Sequence, residues 1–377
     1  MSHKIIEKVN RFITTSLNTW TTEGFDAESG DFIEALSFEG KALSKLPRRG
    51  RVQARQILSL AMAHCMNDDA SSQALNTAEK SATTGLKQYL NQRGALIAKI
   101  DRNVKDKYCF AYEQAFLIMA YAWLYQATKN ETYRQSAEHI WQWLEDNLTN
   151  RAYGGFNICL PDDAHNAIRQ QNPHMHLFEA CLICAVYLDK STWLARAKML
   201  FNLFERHFYD SVNKCVLEFF TQRWQPHPEK GDQIEPGHHF EWVWLLSEYE
   251  KLSGVNTLHY RKALFHTGIT YGINDQGFAC DALCLSTLEK SRTSARLWVE
   301  CELLKAYVAM NEAEKATELV LKLFESYLIE AKGIWYDQLS QDAQNISKNA
   351  PASTFYHLYI ALNEYRKLML RSVQKER

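Results

Sequence analysis

The chain has 377 residues, 46% of them hydrophobic and 23% charged, a balance that excludes disordered, collagen-like and coiled-coil classes. Its 43 basic and 44 acidic residues cancel to a formal charge of −1, so the net charge suggests neither a nucleic-acid partner nor a polybasic membrane protein. With 10 Trp, 18 Tyr and 18 Phe against only 15 Gly and 7 Pro, the composition argues against turn-rich β folds and for a helical protein with an aromatic core or cleft.

The N-terminal run Met1-Ser2-His3-Lys4-Ile5-Ile6-Glu7-Lys8 lacks the apolar stretch of a signal peptide, and no later segment reaches the ~18 apolar residues that span a bilayer. The reading predicts a cytoplasmic protein with no membrane partner. From there, amphipathic segments alternate with more apolar, aromatic ones. Lys4–Trp20 precedes Arg51–Met66, Ser71–Gln92 precedes Tyr108–Ala127, and Thr132–Leu148 precedes Pro173–Leu188. Thr192–His207, Thr257–Tyr271 and Glu312–Ile329 then precede Pro236–Lys251, Ala295–Met310 and Pro351–Met369 in turn. Gly/aromatic turns recur at Gly24, Gly94, Gly155, Gly277 and Gly333, and the spacings 94-to-155 and 155-to-277 are 61 and 122 residues, the second twice the first. A missing turn is expected near 216, where Lys214-Cys215-Val216 has no glycine. Six units of roughly 60 residues therefore predict an all-α fold. The expected form is a single (α/α)6-barrel domain over residues 1–377, with an apolar inner ring inside an amphipathic outer one. An open solenoid is the rival. The nine cysteines, scattered through apolar segments, are expected as buried free thiols.

Unusual polar residues fall near the start of each inner helix: Arg55, Tyr112, Asn172 with His176, His238 with Glu241, Trp298 and His357. Near-equal spacing in a six-unit ring places them around one mouth, as a small-ligand pocket requires. Asn172 and His176 share a helical face, and His238 and Glu241 stand at i, i+3, a spacing that can bring a carboxylate to an imidazole. His357 has no acidic neighbour within one turn, which leaves it free to act as a neutral base. His174 and His176 diverge around their helix and no HExxH is present, so no metal is expected. With no Rossmann fingerprint or P-loop either, no cofactor is expected. Imidazoles that titrate near neutrality, with an arginine for oxyanion character, suit proton transfer at a carbon next to a carbonyl.

The segments Asn172-Pro173-His174-Met175-His176-Leu177-Phe178-Glu179-Ala180, Pro236-Gly237-His238-His239-Phe240-Glu241-Trp242 and Tyr356-His357 resemble the N-acylglucosamine 2-epimerase superfamily. So do Gln53-Ala54-Arg55-Gln56 and Arg296-Leu297-Trp298-Val299-Glu300-Cys301-Glu302, all in order along nearly the whole chain. The likeness is greatest to its D-mannose isomerase branch. That resemblance implies an (α/α)6 barrel and cofactor-free interconversion of D-mannose and D-fructose through a cis-enediol(ate). It implies that His357 moves the proton between C2 and C1, and that His238, oriented by Glu241, is the second acid/base. His176 would assist ring opening, Arg55 and Asn172 would bind sugar oxygens, and Tyr112 and Trp298 would line the pocket. Glu113 and Glu300 depart from the family pattern. No tryptophan stands in Ala350–Thr354 before the final histidine, which favours a monosaccharide over a disaccharide. A 2-epimerase needs the same imidazoles and remains the alternative. An inverting glycoside hydrolase using Glu241, Glu300 and Glu302, or a non-catalytic scaffold, leaves the histidines unexplained.

Overall fold

The computed structural model describes residues 2–69 and 72–375. Twelve α-helices lie among them: α1 (Ser2–Thr21), α2 (Gly50–Cys65), α3 (Gln73–Thr83), α4 (Ala111–Thr128), α5 (Glu131–Leu148), α6 (Gln171–Tyr187), α7 (Lys190–Leu203), α8 (Pro236–Ser253), α9 (Leu258–Gly272), α10 (Leu297–Ala309), α11 (Ala313–Ser326) and α12 (Phe355–Lys375). The predicted segment Ser71–Gln92 is cut to α3 and a 3₁₀ turn at Gly85–Tyr89, and Ser71 itself lies outside the described residues. No helix among the described residues is long and apolar enough to cross a membrane.

The odd-numbered helices bury one stripe. Along α1, Ile5, Val9, Phe12, Ile13, Leu17 and Trp20 are buried at three- and four-residue spacing. The even-numbered helices bury nearly every side; in α4 every residue from Glu113 to Leu124 is buried. A helix with no exposed face needs neighbours all round. Each even helix packs on the next, and α12 packs on α2 as well as on α10, so the six follow a closed circuit. Each odd helix from α3 to α11 packs on the even helix before it, and α1 packs on α12. The pairing therefore runs inner helix first, not outer first as the sequence order suggested. Chain length explains it: only Lys129 and Asn130 join α4 to α5, and only Leu188 and Asp189 join α6 to α7. Links that short hold consecutive helices side by side. Asn130 and Asp189 also cap the helices they precede, accepting the amides of Thr132 at 3.0 Å and Thr192 at 2.8 Å.

The all-α expectation missed a system of very short β-ladders. After each outer helix the chain turns in a hairpin whose outermost backbone pair is Phe25 with Phe32, Leu90 with Leu96, Thr149 with Phe156, Tyr209 with Val216, Ile273 with Ala279, or Leu328 with Trp335. Two residues before the second partner the backbone is left-handed every time, at Gly30, Gly94, Gly154, Lys214, Gly277 and Gly333. The missing turn is thus present, with Lys214 at φ +56° in place of glycine. In the first unit the turn glycine is Gly30 and not Gly24. A second set of ladders joins neighbouring units just before the inner helices: 48–49 with 99–100, 109–110 with 159–160, 169–170 with 219–220, 233–234 with 283–284 and 295–296 with 338–339. The sixth pairs 350–351 with 35–36, linking the end of the chain to its beginning. Strands of two or three residues show no alternation, which is why sequence periodicity could not find them.

Candidate active site

The inner helices begin where these inter-unit ladders stop, so their first turns are held around one opening. Arg55, Tyr112, Asn172, His176, His238, Glu241, Trp298 and His357 all line a single cavity of about 680 Å³ at that end. The eight residues singled out in the sequence come from all six even helices and meet in one place.

Not every polar residue at this level faces the cavity. The amide of the second hairpin residue is accepted by a side chain of the following inner helix: Phe32 by Gln53 at 2.6 Å, Leu96 by Gln114 at 2.8 Å, Phe156 by His174 at 2.9 Å, Val216 by His239 at 3.1 Å, and Ala279 by Glu300 at 2.7 Å. His174 and His239 are thereby struts between hairpin and helix. Burial pushes them down to about 3 and about 4 respectively, so they are neutral acceptors. Glu300 fills the same position as the two glutamines.

The three cavity imidazoles each meet a carboxylate at Nδ1, and an ionised carboxylate as acceptor puts the proton on that nitrogen. His357 on α12 donates to Glu302 Oε1 of α10 at 2.7 Å. His238 on α8 donates to Glu218 Oε1, on the hairpin before that helix, at 2.9 Å. His176 on α6 donates to Glu179 Oε2, one turn along, at 3.1 Å. One sequence expectation is corrected here. Glu241 does not orient His238, because the imidazole turns outward to Glu218 while Glu241 points toward the ring centre, 3.7 Å from His176 Nδ1. His357 has no carboxylate within its own turn, as the sequence indicated, and a neighbouring helix supplies Glu302.

Burial acts on all three rings, and the surrounding charge separates them. His238 is also desolvated, but Glu218, with Glu235 and Glu241 behind it, outweighs that and lifts the imidazolium to about 9. His176 is pushed down to about 4 by burial despite Glu179. Burial, with the cations Arg55 and Lys305, holds His357 well below the ordinary histidine range. One imidazole is charged and two are neutral near pH 7. Both oxygens of Glu241 lack a hydrogen-bond partner among the described residues, and burial beside Glu302 keeps its carboxyl far above the usual carboxylate range.

The walls complete the site. Trp298 lies between the two outer imidazoles, its ring 5.4 Å from His238 and 5.7 Å from His357. Arg55 donates to the Tyr112 hydroxyl at 2.6 Å and the Ser353 carbonyl at 3.1 Å, with its guanidinium 4.1 Å from the Phe116 ring. Asn172 Oδ1 has no partner among the described residues. Glu113 pairs with Arg51 at 3.0 Å on the cavity wall.

Glu179, Glu218 and Glu302 were not assigned these roles from sequence. Glu179 carried the same i, i+3 signal that pointed to Glu241, whereas Glu218 and Glu302 come from elements whose placement only the fold reveals. Two buried triads, His176/Glu179/Glu241 and Glu241/Glu302/His357, bring potential ligand atoms within 4.8 Å of one another. Same-face reasoning on single helices could not see them. In the second, however, Lys305 Nζ lies 2.6 Å from Glu302 Oε2, where its ammonium supplies the neutralising charge.

The chain is 30% identical over 375 residues to a mannose-6-phosphate isomerase of Rhizobium meliloti (strain 1021), covering 94% of this chain and 95% of that one. It is 26% identical over 327 residues to a D-mannose isomerase of Marinomonas mediterranea, covering 75% and 79% of the two chains. A crystal structure of D-mannose isomerase superposes with a TM-score of 0.87 at 22% identity, over 95% of this chain and 97% of the other. The N-acylglucosamine 2-epimerase (GlcNAc 2-epimerase) family model matches residues 30–361, and the chain belongs to that family of sugar-processing enzymes.

Proposed function

We propose that the protein is an aldose–ketose isomerase acting on an uncharged monosaccharide, D-mannose to D-fructose and back, in one (α/α)6-barrel catalytic domain. The observation that carries this reading is the pair of oppositely poised imidazoles flanking Trp298: His357 neutral and His238 charged. An isomerisation needs a base for a carbon-bound proton and an acid for an oxygen. On the open-chain aldose, His357 Nε2 takes the C2 proton and the electron pair forms the C1–C2 double bond of a cis-enediol(ate). His238 gives a proton to O1 and takes one from O2, and Arg55 steadies the negative charge between those events. Return of the proton from His357 to C1 gives the ketose. His176 and the neutral Glu241 carboxyl face the same cavity and serve ring opening, while Asn172 and Tyr112 hold sugar oxygens.

The charge of the cavity favours a free sugar. Arg49 is paired with Glu34, Arg51 with Glu113 and Arg296 with Asp281, so three of its four arginines are already neutralised. Outside those pairs, the lysine and arginine side chains left on the cavity wall for a phosphate dianion are Arg55, which the chemistry uses, and the exposed Lys99. The relative named for mannose 6-phosphate makes the direct comparison informative. Initial rates on D-mannose and D-mannose 6-phosphate should give a higher kcat/KM for the free sugar, by at least tenfold. A preference for the phosphate would overturn the substrate assignment and leave the proton chemistry standing.

A further inference from the structure

Lys305 lies on α10 one turn beyond Glu302, and both side chains are completely buried. A lysine in that position has no use in packing alone, since taking an ammonium out of water is expensive unless a charge repays it. It does not line the cavity, so it cannot touch the sugar. Its Nζ sits 2.6 Å from Glu302 Oε2 and 4.0 Å from the centre of the Trp244 ring. Glu302 offers its other oxygen to His357 Nδ1 at 2.7 Å. The carboxylate is therefore a bridge between a hidden ammonium and the ring proposed as the base.

We propose that Lys305 is a positioning residue that fixes the tautomer of His357 by keeping Glu302 ionised. This rests on the isomerase reading for its catalytic consequence, but not for its structural content. Three carboxylates crowd the floor of the cavity, and Glu241 among them lines it. Glu179 is satisfied by His176 Nδ1 and by the Tyr356 hydroxyl. Glu241 has no hydrogen-bond partner among the described residues. Burial leaves the Glu302 carboxyl above the ordinary carboxylate range, and the neighbouring ammonium is the largest influence drawing it back down. Without Lys305, Glu302 would take up a proton and present an O–H to the imidazole. His357 Nδ1 would then become the acceptor, and its ring proton would move to Nε2, the nitrogen that must be unprotonated to take a proton from C2. The wrong tautomer disables a base without removing it.

The test reads the tautomer in the free protein. Histidine side chains are labelled with ¹⁵N, His357 is assigned by comparison with His357→Asn, and two-bond ¹H–¹⁵N spectra are recorded near pH 7. Wild type should show the Nδ1–H form, Lys305→Arg should keep it, and Lys305→Met should show the Nε2–H form. Lys305→Met should also lower kcat on mannose by about tenfold to a hundredfold, with KM changed less than twofold, in line with residues that act through another group. An Nδ1–H signal retained in folded Lys305→Met overturns the proposal, as does a loss confined to KM. If Lys305→Met does not fold, wild type still decides: an Nε2–H signal there overturns it. Failure of mannose turnover with the tautomers as expected would count against the isomerase reading alone.

Discussion

The proposed chemistry turns on His357. It is 5% exposed, lines the cavity, and has its Nδ1 proton committed to Glu302, which leaves Nε2 as the ring's basic nitrogen. His357→Asn should lower kcat by about 10²–10⁴-fold, the usual worth of a general base. An unchanged thermal midpoint, read beside steady-state rates, would show that the fold is intact; a loss below threefold would remove His357 from the mechanism. At the Glu241/Glu302/His357 triad, Lys305 argues against a metal requirement. Because its ammonium occupies the charge-neutralising position beside Glu302, full activity should persist after EDTA treatment and dialysis. Loss of activity that a divalent cation restores would contradict that assignment. At this scale the sequence disclosed which side chains meet but not which atoms pair. His238 with Glu241 looked like a couple at i, i+3, yet the partner proved to be Glu218, twenty residues earlier on a hairpin. Helical spacing predicts a shared face; it does not say which neighbour lies closer in space.

Among the elements, the hairpin-to-helix strut explains a departure that sequence could only note. Gln53 and Gln114 each accept the amide and donate to the carbonyl of the same hairpin residue, Phe32 and Leu96 respectively. Glu300 accepts the amide of Ala279 but leaves Oε2 without a partner among the described residues. Burial raises its carboxyl to about 8, against the opposing pull of that amide. The unfolded chain, with an ordinary glutamate, releases the proton at lower pH than the folded one. Stability contributed here therefore falls as pH rises from the ordinary glutamate range to about 8. Glu300→Gln should flatten that dependence, raising the thermal midpoint at pH 9 more than at pH 5. Equal shifts at the two pH values would show that Glu300 is not protonated in the fold. The helices themselves were legible because burying one stripe or nearly all sides leaves a strong periodic signal. The ladders were not, being two or three residues long and held by backbone bonds to distant segments.

At the scale of the whole molecule, the sixfold repeat was written in the turns, including the one where Lys214 takes the left-handed conformation in place of glycine. What the repeat could not state was which helices pair. Short connections, of two residues at α4–α5 and α6–α7, join inner to outer helices, and α1 reaches across to α12 to complete the circuit. That circuit brings His357, from the last helix, to the same cavity as Arg55 from the second. One base on one face of an enediol suffices for an isomerase, whereas inversion at C2 needs donors on both faces or a rotation of the intermediate between them. The most direct test is to incubate the purified protein with C2-deuterated D-mannose in ordinary water and identify the sugars formed. The account predicts D-fructose as the product, with part of the deuterium carried to C1. Mannose recovered unchanged, or glucose formed as fast as fructose, would contradict it.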